Sequence, residues 1–285
     1  MSSETAGSST KLPFWRTLGD SYKLWFLNLP ELMRICWLWF VVMVPVFALI
    51  NWWQAPHFIE IMRLAAEGKN NPDPDPLFTL SAQIITTVAM LPIGASVAVA
   101  WHRLLLRDER VGAGAYFRLD GLVVGYAILL FLIGLLPMVP QLVAQSIAIP
   151  DPDAPDVSMS DLGLYGGLSF LLLVLSIIGL LIAGRLSVIL PARALGRADF
   201  TLGKVWAATR KNSWRMFWGY VLCVVPLGAT VGMAMIWYVI SGASRLNFTI
   251  VWTALSLFWV AVGMIGVGFL SLSYRHFFER DRAAR

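Results

Sequence analysis

RLSVILPARALGRADFTLGKVWAATRKNSWR, residues 185 to 215, lies between two strongly apolar blocks and carries seven cations, Arg185, Arg193, Arg197, Lys204, Arg210, Lys211 and Arg215, against the one acid Asp199. A cation-rich, acid-poor segment bounded by apolar runs reads as a loop on the cytoplasmic side of a bilayer, and it orients the rest of the chain. The chain is 58% hydrophobic and only 14% charged, with a mean hydropathy of +0.70. Soluble domains carry about a quarter charged residues, so the solvent for most of this sequence is lipid. Cys36 and Cys223 fall inside apolar blocks without CxxC spacing, which speaks for small packed residues and against a disulfide framework or zinc.

Outward from that segment, apolar runs of spanning length alternate with loops. Ile35 to Trp53 is charge-free, Phe78 to Ala100 is the most polar span, and Gly121 to Gln145 contains Pro137 and Pro140, which predict a break. Leu164 to Gly184, Met216 to Ile240 and Phe248 to Leu272 complete six. Before the first span, Leu18, Tyr22, Trp25 and Leu29 recur at helical spacing opposite Arg16, Asp20 and Lys23, the pattern of an amphipathic helix in the interface, with Pro30 marking a break before the span. Residues 54 to 77 and 146 to 163 read as external loops. Both contain alternating Pro and Asp, and neither has the Gly turn and bidentate Glu of an EF-hand, so no calcium or other metal site is expected.

The charge distribution fixes the orientation. With both termini cytoplasmic, nineteen of the 22 Lys and Arg residues fall on the inner side, whereas acids divide almost evenly. That is the signature of a rule about cations and not about net charge. The expected fold is all-α: a polytopic membrane bundle of six transmembrane helices with amphipathic interfacial helices. Residues 1–12 read as a disordered cytoplasmic tail and residues 13–285 as one six-span domain. TLGDSYKLWFLN at 17–28 and TLGKVWAATRKN at 201–212 align at an offset of 184, and VGAGAYFRLDG at 111–121 lies about halfway between. Three parallel two-helix repeats, 14–110, 111–199 and 200–285, fit this spacing.

The stretches GRLSVILPARALGR, TLGKVWAATRKNSWRMF, AWHRLLLRDE and SYRHFF resemble a set of uncharacterised bacterial six-span inner-membrane proteins, similar in turn to the membrane domain fused to some glycerophosphodiester phosphodiesterases. The resemblance runs from about Thr17 to Phe278. It implies a fold and a place in the bacterial cytoplasmic membrane, and it carries no catalytic residue.

The chemistry expected is sparse. No phosphate loop, HExxH or GxSxG motif occurs, the span centres lack ionisable residues, and no cofactor, nucleic acid or catalytic role is expected. The nearest constellation is His102, Arg103, Arg185, Arg275 and His276, equivalent exits of the three repeats, which could converge on a lipid phosphate. Trp25, Lys204, Trp206 and Trp214 read as interfacial anchors. GxxxG at 228–232 reads as helix packing within the bundle. The favoured reading is a non-enzymatic membrane protein that engages anionic lipid headgroups, or a protein partner or second copy, at its basic cytoplasmic face. The alternative is a channel or transporter for a small or amphipathic solute, working between the polar second span and the proline-containing third.

Overall fold

The computed structural model describes residues 11–68, 75–112, 116–146, 159–197, 199–242 and 244–279. Every regular element among them is helical: α1 (Phe14–Leu27), α2 (Leu29–Ala66), α3 (Pro76–Arg107), α4 (Gly121–Ser146), α5 (Met159–Leu186), α6 (Ile189–Ala194), α7 (Leu202–Ala208), α8 (Ser213–Ile240) and α9 (Arg245–Phe278). α2, α3, α4, α5, α8 and α9 are long and apolar enough to cross a membrane. The protein is an all-α, multi-pass membrane bundle.

Burial is uneven, and its distribution says which helix is the axle. In the most apolar window of α9, 56% of residues are buried inside the protein, against 17% in α4, α5 and α8. α9 packs on α1, α2, α3, α6 and α8, while α4 and α5 pack on each other, with α4 also against α3 and α5 against α8. Lipid tails are as apolar as leucine, so outward-facing Leu, Ile and Val on the peripheral helices cost nothing and the inward faces must associate by close packing and hydrogen bonds. The polar residues of the second span do this. Ser96 accepts from Trp39 Nε1 at 3.1 Å, and Thr86 accepts from Gln54 at 3.0 Å.

Several expectations are corrected. The first external loop is largely helix, because α2 continues to Ala66 across Pro45 and Pro56. At 1.5 Å per residue it is about 57 Å long, well beyond a ~30 Å hydrocarbon core. Its last turns are amphipathic, with Arg63 paired to Glu60 and Glu67 at i−3 and i+4, and it stops at Gly68, whose φ of 78° suits glycine. Pro137 and Pro140 do not interrupt α4. The break between α1 and α2 falls at Asn28, and Pro30 sits in the first turn of α2, where its missing N–H is harmless. Gly228 and Gly232 are exposed, with no atom within 4 Å of a Cβ at either position, so this GxxxG is not a contact inside the bundle. The acidic segments around residues 69–74 and 147–158 lie outside the described residues.

The tail assigned to residues 1–12 is cut short by its own end. Leu12 is fully buried, its N–H donates to Asn212 Oδ1 at 3.0 Å, and its carbonyl accepts from Arg215 at 2.5 Å. Residues 1–10 lie outside the described residues. On the repeats, α1 precedes α2 and α7 precedes α8, but residues 108–112 and 116–120, ahead of α4, contain no helix.

Candidate functional site

One end of the bundle gathers α1, the start of α2, the end of α3, the entry to α4, α6, α7 and the last turns of α9, and with them most of the cations. The five residues expected to meet on one phosphate do not share a role there. His102 is fully buried within the bundle: Nδ1 lies 2.7 Å from Ser271 Oγ on α9 and Nε2 lies 3.1 Å from the Tyr126 hydroxyl on α4. Ser271 Oγ donates its proton to the Val267 carbonyl at 3.0 Å. The set is therefore satisfied when Nδ1–H donates to Ser271 and Tyr126 O–H donates to Nε2. His102 is a clasp between three helices and offers nothing to a headgroup.

The arginines are also committed. Arg103 pairs with Glu109 at 2.6 Å, which holds that carboxyl below the usual carboxylate range. Arg275 donates to the Leu105 carbonyl at 2.7 Å and so ties α9 to the exit of α3. Arg185 lies 3.5 Å above the Trp206 ring, and donates to the Trp206 carbonyl at 2.6 Å and to Thr209 at 3.2 Å. It fastens α7 to α5. His276 stacks edge-on to Phe277. α3 and α9 thus bring Arg103 and Arg275 to one end, but as braces and not as an open phosphate clamp.

The 185–215 segment shows why. Where a solvated loop was expected, Ile189, Leu190, Pro191, Ala192 and Ala194 of α6 are buried against the bundle, and the helix closes at Gly196 with φ 72°. Arg197 N–H reaches back to the Ala192 carbonyl, while its guanidinium meets Tyr274 and Glu279, the latter at 3.3 Å. Lys204 Nζ donates to the Asp199 carbonyl at 3.0 Å. Of the seven cations, Arg193, Arg210 and Lys211 remain exposed with no acidic partner among the described residues.

The anchors divide in the same way. Trp25 turns inward, its Nε1 donating to the Ala261 carbonyl at 2.8 Å, and α1 lays Leu18, Ser21 and Tyr22 on α8 and α9 instead of on lipid. Trp206 is partly covered by Arg185. Trp214 keeps 60% of its surface exposed, and neighbouring Trp15 keeps 74%. With Trp218, Phe14 and Arg215 these two line a groove of about 670 Å³ between the start of α1 and the first turns of α8. Tryptophans beside cations at the edge of an apolar bundle suit the headgroup layer.

No family model, curated protein or solved structure matches this chain. What it does must therefore be argued from these side chains.

Sequence reasoning missed Tyr126 and Ser271 because nothing local marks a hydroxyl as the partner of a histidine 24 or 169 residues away. It also missed polar residues of α2 at the other end, where Asn51 Nδ2 donates to Thr253 Oγ1 at 3.2 Å and His57 Nε2 lies 2.9 Å from Thr79 Oγ1. Their signal is present as Asn, Gln and His at i, i+3 and i+6, but it straddles residue 54, where the sequence predicts the loop to begin.

Proposed function

We propose that this chain is a non-enzymatic integral protein of the bacterial inner membrane, with both termini in the cytoplasm, and that its basic end engages anionic lipid. The observation that carries this reading is the aromatic groove of Trp15, Trp214 and Trp218 with Arg215 at its edge, adjoining the exposed Lys11, Arg210 and Lys211. The site is thus moved from the helix exits, where the arginines brace the fold, to the N-terminal edge of α8. The resemblance to bacterial six-span membrane proteins and the excess of cations at this end support the location.

Orientation is tested by cysteine labelling in intact cells. A cysteine at Lys211 should resist an impermeant maleimide until the membrane is opened, and one at Arg63, toward the opposite ends of α2 and α3, should react at once. Immediate labelling at 211 would reverse the topology.

Lipid binding is tested by native mass spectrometry on protein extracted from phosphatidylglycerol-containing membranes. Each juxtamembrane cation contributes about 1 kcal/mol near an anionic leaflet. Single changes of Lys11, Arg210 or Lys211 to Gln should therefore weaken retention of phosphatidylglycerol less than tenfold, and the triple change about a hundredfold. Raising the salt should shrink both effects. Equal retention of phosphatidylcholine and phosphatidylglycerol by the unaltered protein would sink the proposal.

A further inference from the structure

At the end of the bundle away from the basic groove, α2, α3 and α9 line an open-sided cavity of about 560 Å³. That is within the size range of small-molecule sites, ~300–1,000 Å³. Its polar lining includes Asn51, Gln54 and His57 on α2 and Thr79 and Gln83 on α3, with the hydroxyls of Thr86, Thr87 and Ser256 beside them. Gln83 lies seven residues inside α3, about 10 Å along the helix from its start. Amides at such a depth in an apolar bundle are costly unless they find partners. Gln54 spends its Nε2 on Thr86 and the Ala82 carbonyl, which leaves Oε1 as an acceptor with no partner among the described residues. The Gln83 side-chain amide has no partner there at all. Among the described residues, no Asp, Glu, Lys or Arg lines the cavity.

A second cavity, of about 330 Å³, continues inward between α3, α4, α6, α8 and α9 and shares Thr87, Met90 and Trp259 with the first. Its wall is apolar, with Leu91, Leu130, Val260 and Met264. Gly94 and Gly263 belong to it, and a Cβ at either would meet no atom within 4 Å, so the glycines open the space and do not serve a helix contact. The sequence therefore builds two adjoining chambers, an outer one with uncommitted amides and no charge, and an inner one of hydrocarbon.

We infer that the paired chambers bind a single-chain amphiphile with an uncharged, hydroxyl- or amide-bearing head, the head meeting Gln54 and Gln83 and the chain entering the inner chamber past Met90 and Trp259. An ionised head would be desolvated here without a countercharge, a cost of several kcal/mol in a protein interior, whereas hydroxyls give donors and acceptors to both amides. This site is separate from the basic groove and does not depend on anionic lipid binding there.

The test uses the full chain held in amphipol, so that no detergent competes. Tryptophan fluorescence is titrated with 1-(9,10-dibromostearoyl)glycerol, whose bromines quench Trp259 and Trp252 when the chain is seated. The expected result is saturable quenching. Gly263→Leu, which fills the inner chamber, should abolish the saturable component, Gln83→Leu should weaken it about tenfold, and the free carboxylate 9,10-dibromostearate at pH 8 should bind at least tenfold more weakly than the glycerol ester. Quenching that rises without saturation, that persists in Gly263→Leu, or that is as strong with the carboxylate overturns the inference. Should Gly263→Leu not yield monodisperse protein, Gln83→Leu decides alone, and an unchanged affinity there overturns the assignment of the head.

Discussion

His102→Ala is expected to lower the midpoint of thermal unfolding by about 6–12 °C. The substitution leaves a void where a fully buried ring stood, removes the partner of the Tyr126 hydroxyl on α4 and leaves Ser271 on α9 with only its bond to the Val267 carbonyl. A large-to-small change in a packed site that also orphans one buried hydroxyl costs about 3 kcal/mol, and for a chain of this size each kcal/mol moves the midpoint by about 2–4 °C. Tyr126→Phe removes one hydroxyl and no volume to speak of, so it should cost about 1 kcal/mol, and in combination with His102→Ala it should add almost nothing, because both act on one bond. Thermal unfolding followed by fluorescence-detected size exclusion measures all three. Full additivity, or an unchanged midpoint in His102→Ala, would show that the ring is not the clasp described here.

The second large effect is expected at Gly179. α4 and α5 cross so closely there that a Cβ on residue 179 would overlap the carbonyl oxygen of Leu136 and crowd Pro137 N, all backbone atoms that no rotamer change can move aside. Gly179→Val must therefore push two helices apart, and overpacking against backbone costs about 3 kcal/mol or more. The α4–α5 pairing is the most extensive between any two helices, so a variant that forces it apart should loosen this hairpin first. The expected readout is a fall in monodisperse yield together with new protease cleavage between residues 121 and 186. Gly228→Val and Gly232→Val place their side chains in open space and should behave as the unaltered protein, within about 0.5 kcal/mol. A tolerated Gly179→Val would mean that the crossing is looser than drawn.

The contrast between these glycines shows what a single sequence reveals about such a fold. The six spans were legible because hydropathy and cation placement act on each segment by itself. Helix crossings are not segmental: the GxxxG at 228–232 has the spacing of a packing motif yet faces outward, and Gly179, with no partner glycine four residues away, makes the closest approach to another helix's backbone among the described glycines. The same limit governs the candidate site. A histidine next to an arginine at a span exit, as at His102 and Arg103, is chemically indistinguishable from an interfacial anchor until Ser271 and Tyr126 are seen around it. Arg185 and Arg275 announce their charge in the sequence but not that Trp206 and the Leu105 carbonyl absorb it. In the 185–215 segment the cations dominate the sequence signal and the short apolar ILPARA, a buried helix in the fold, does not stand out from it. The hydroxyls and amides of the second span were the exception. Polar groups in lipid have to turn inward, so their orientation toward the bundle interior could be inferred from composition alone.

α9 carries the most buried face in the bundle and follows every other helix in the chain. Because synthesis runs from the N-terminus, α1 to α8 reach the bilayer before the element that joins them exists. Until then Trp25, Asn51 and His102 lack the α9 atoms they bond to here, the Ala261 carbonyl, Thr253 and Ser271. The nascent protein can therefore pair α3, α4, α5 and α8 with one another, but the bonds that fix α1, α2 and α3 around a common axis form only when α9 arrives. For that interval the exposed polar groups of a half-made bundle are what quality-control proteases in the membrane would read.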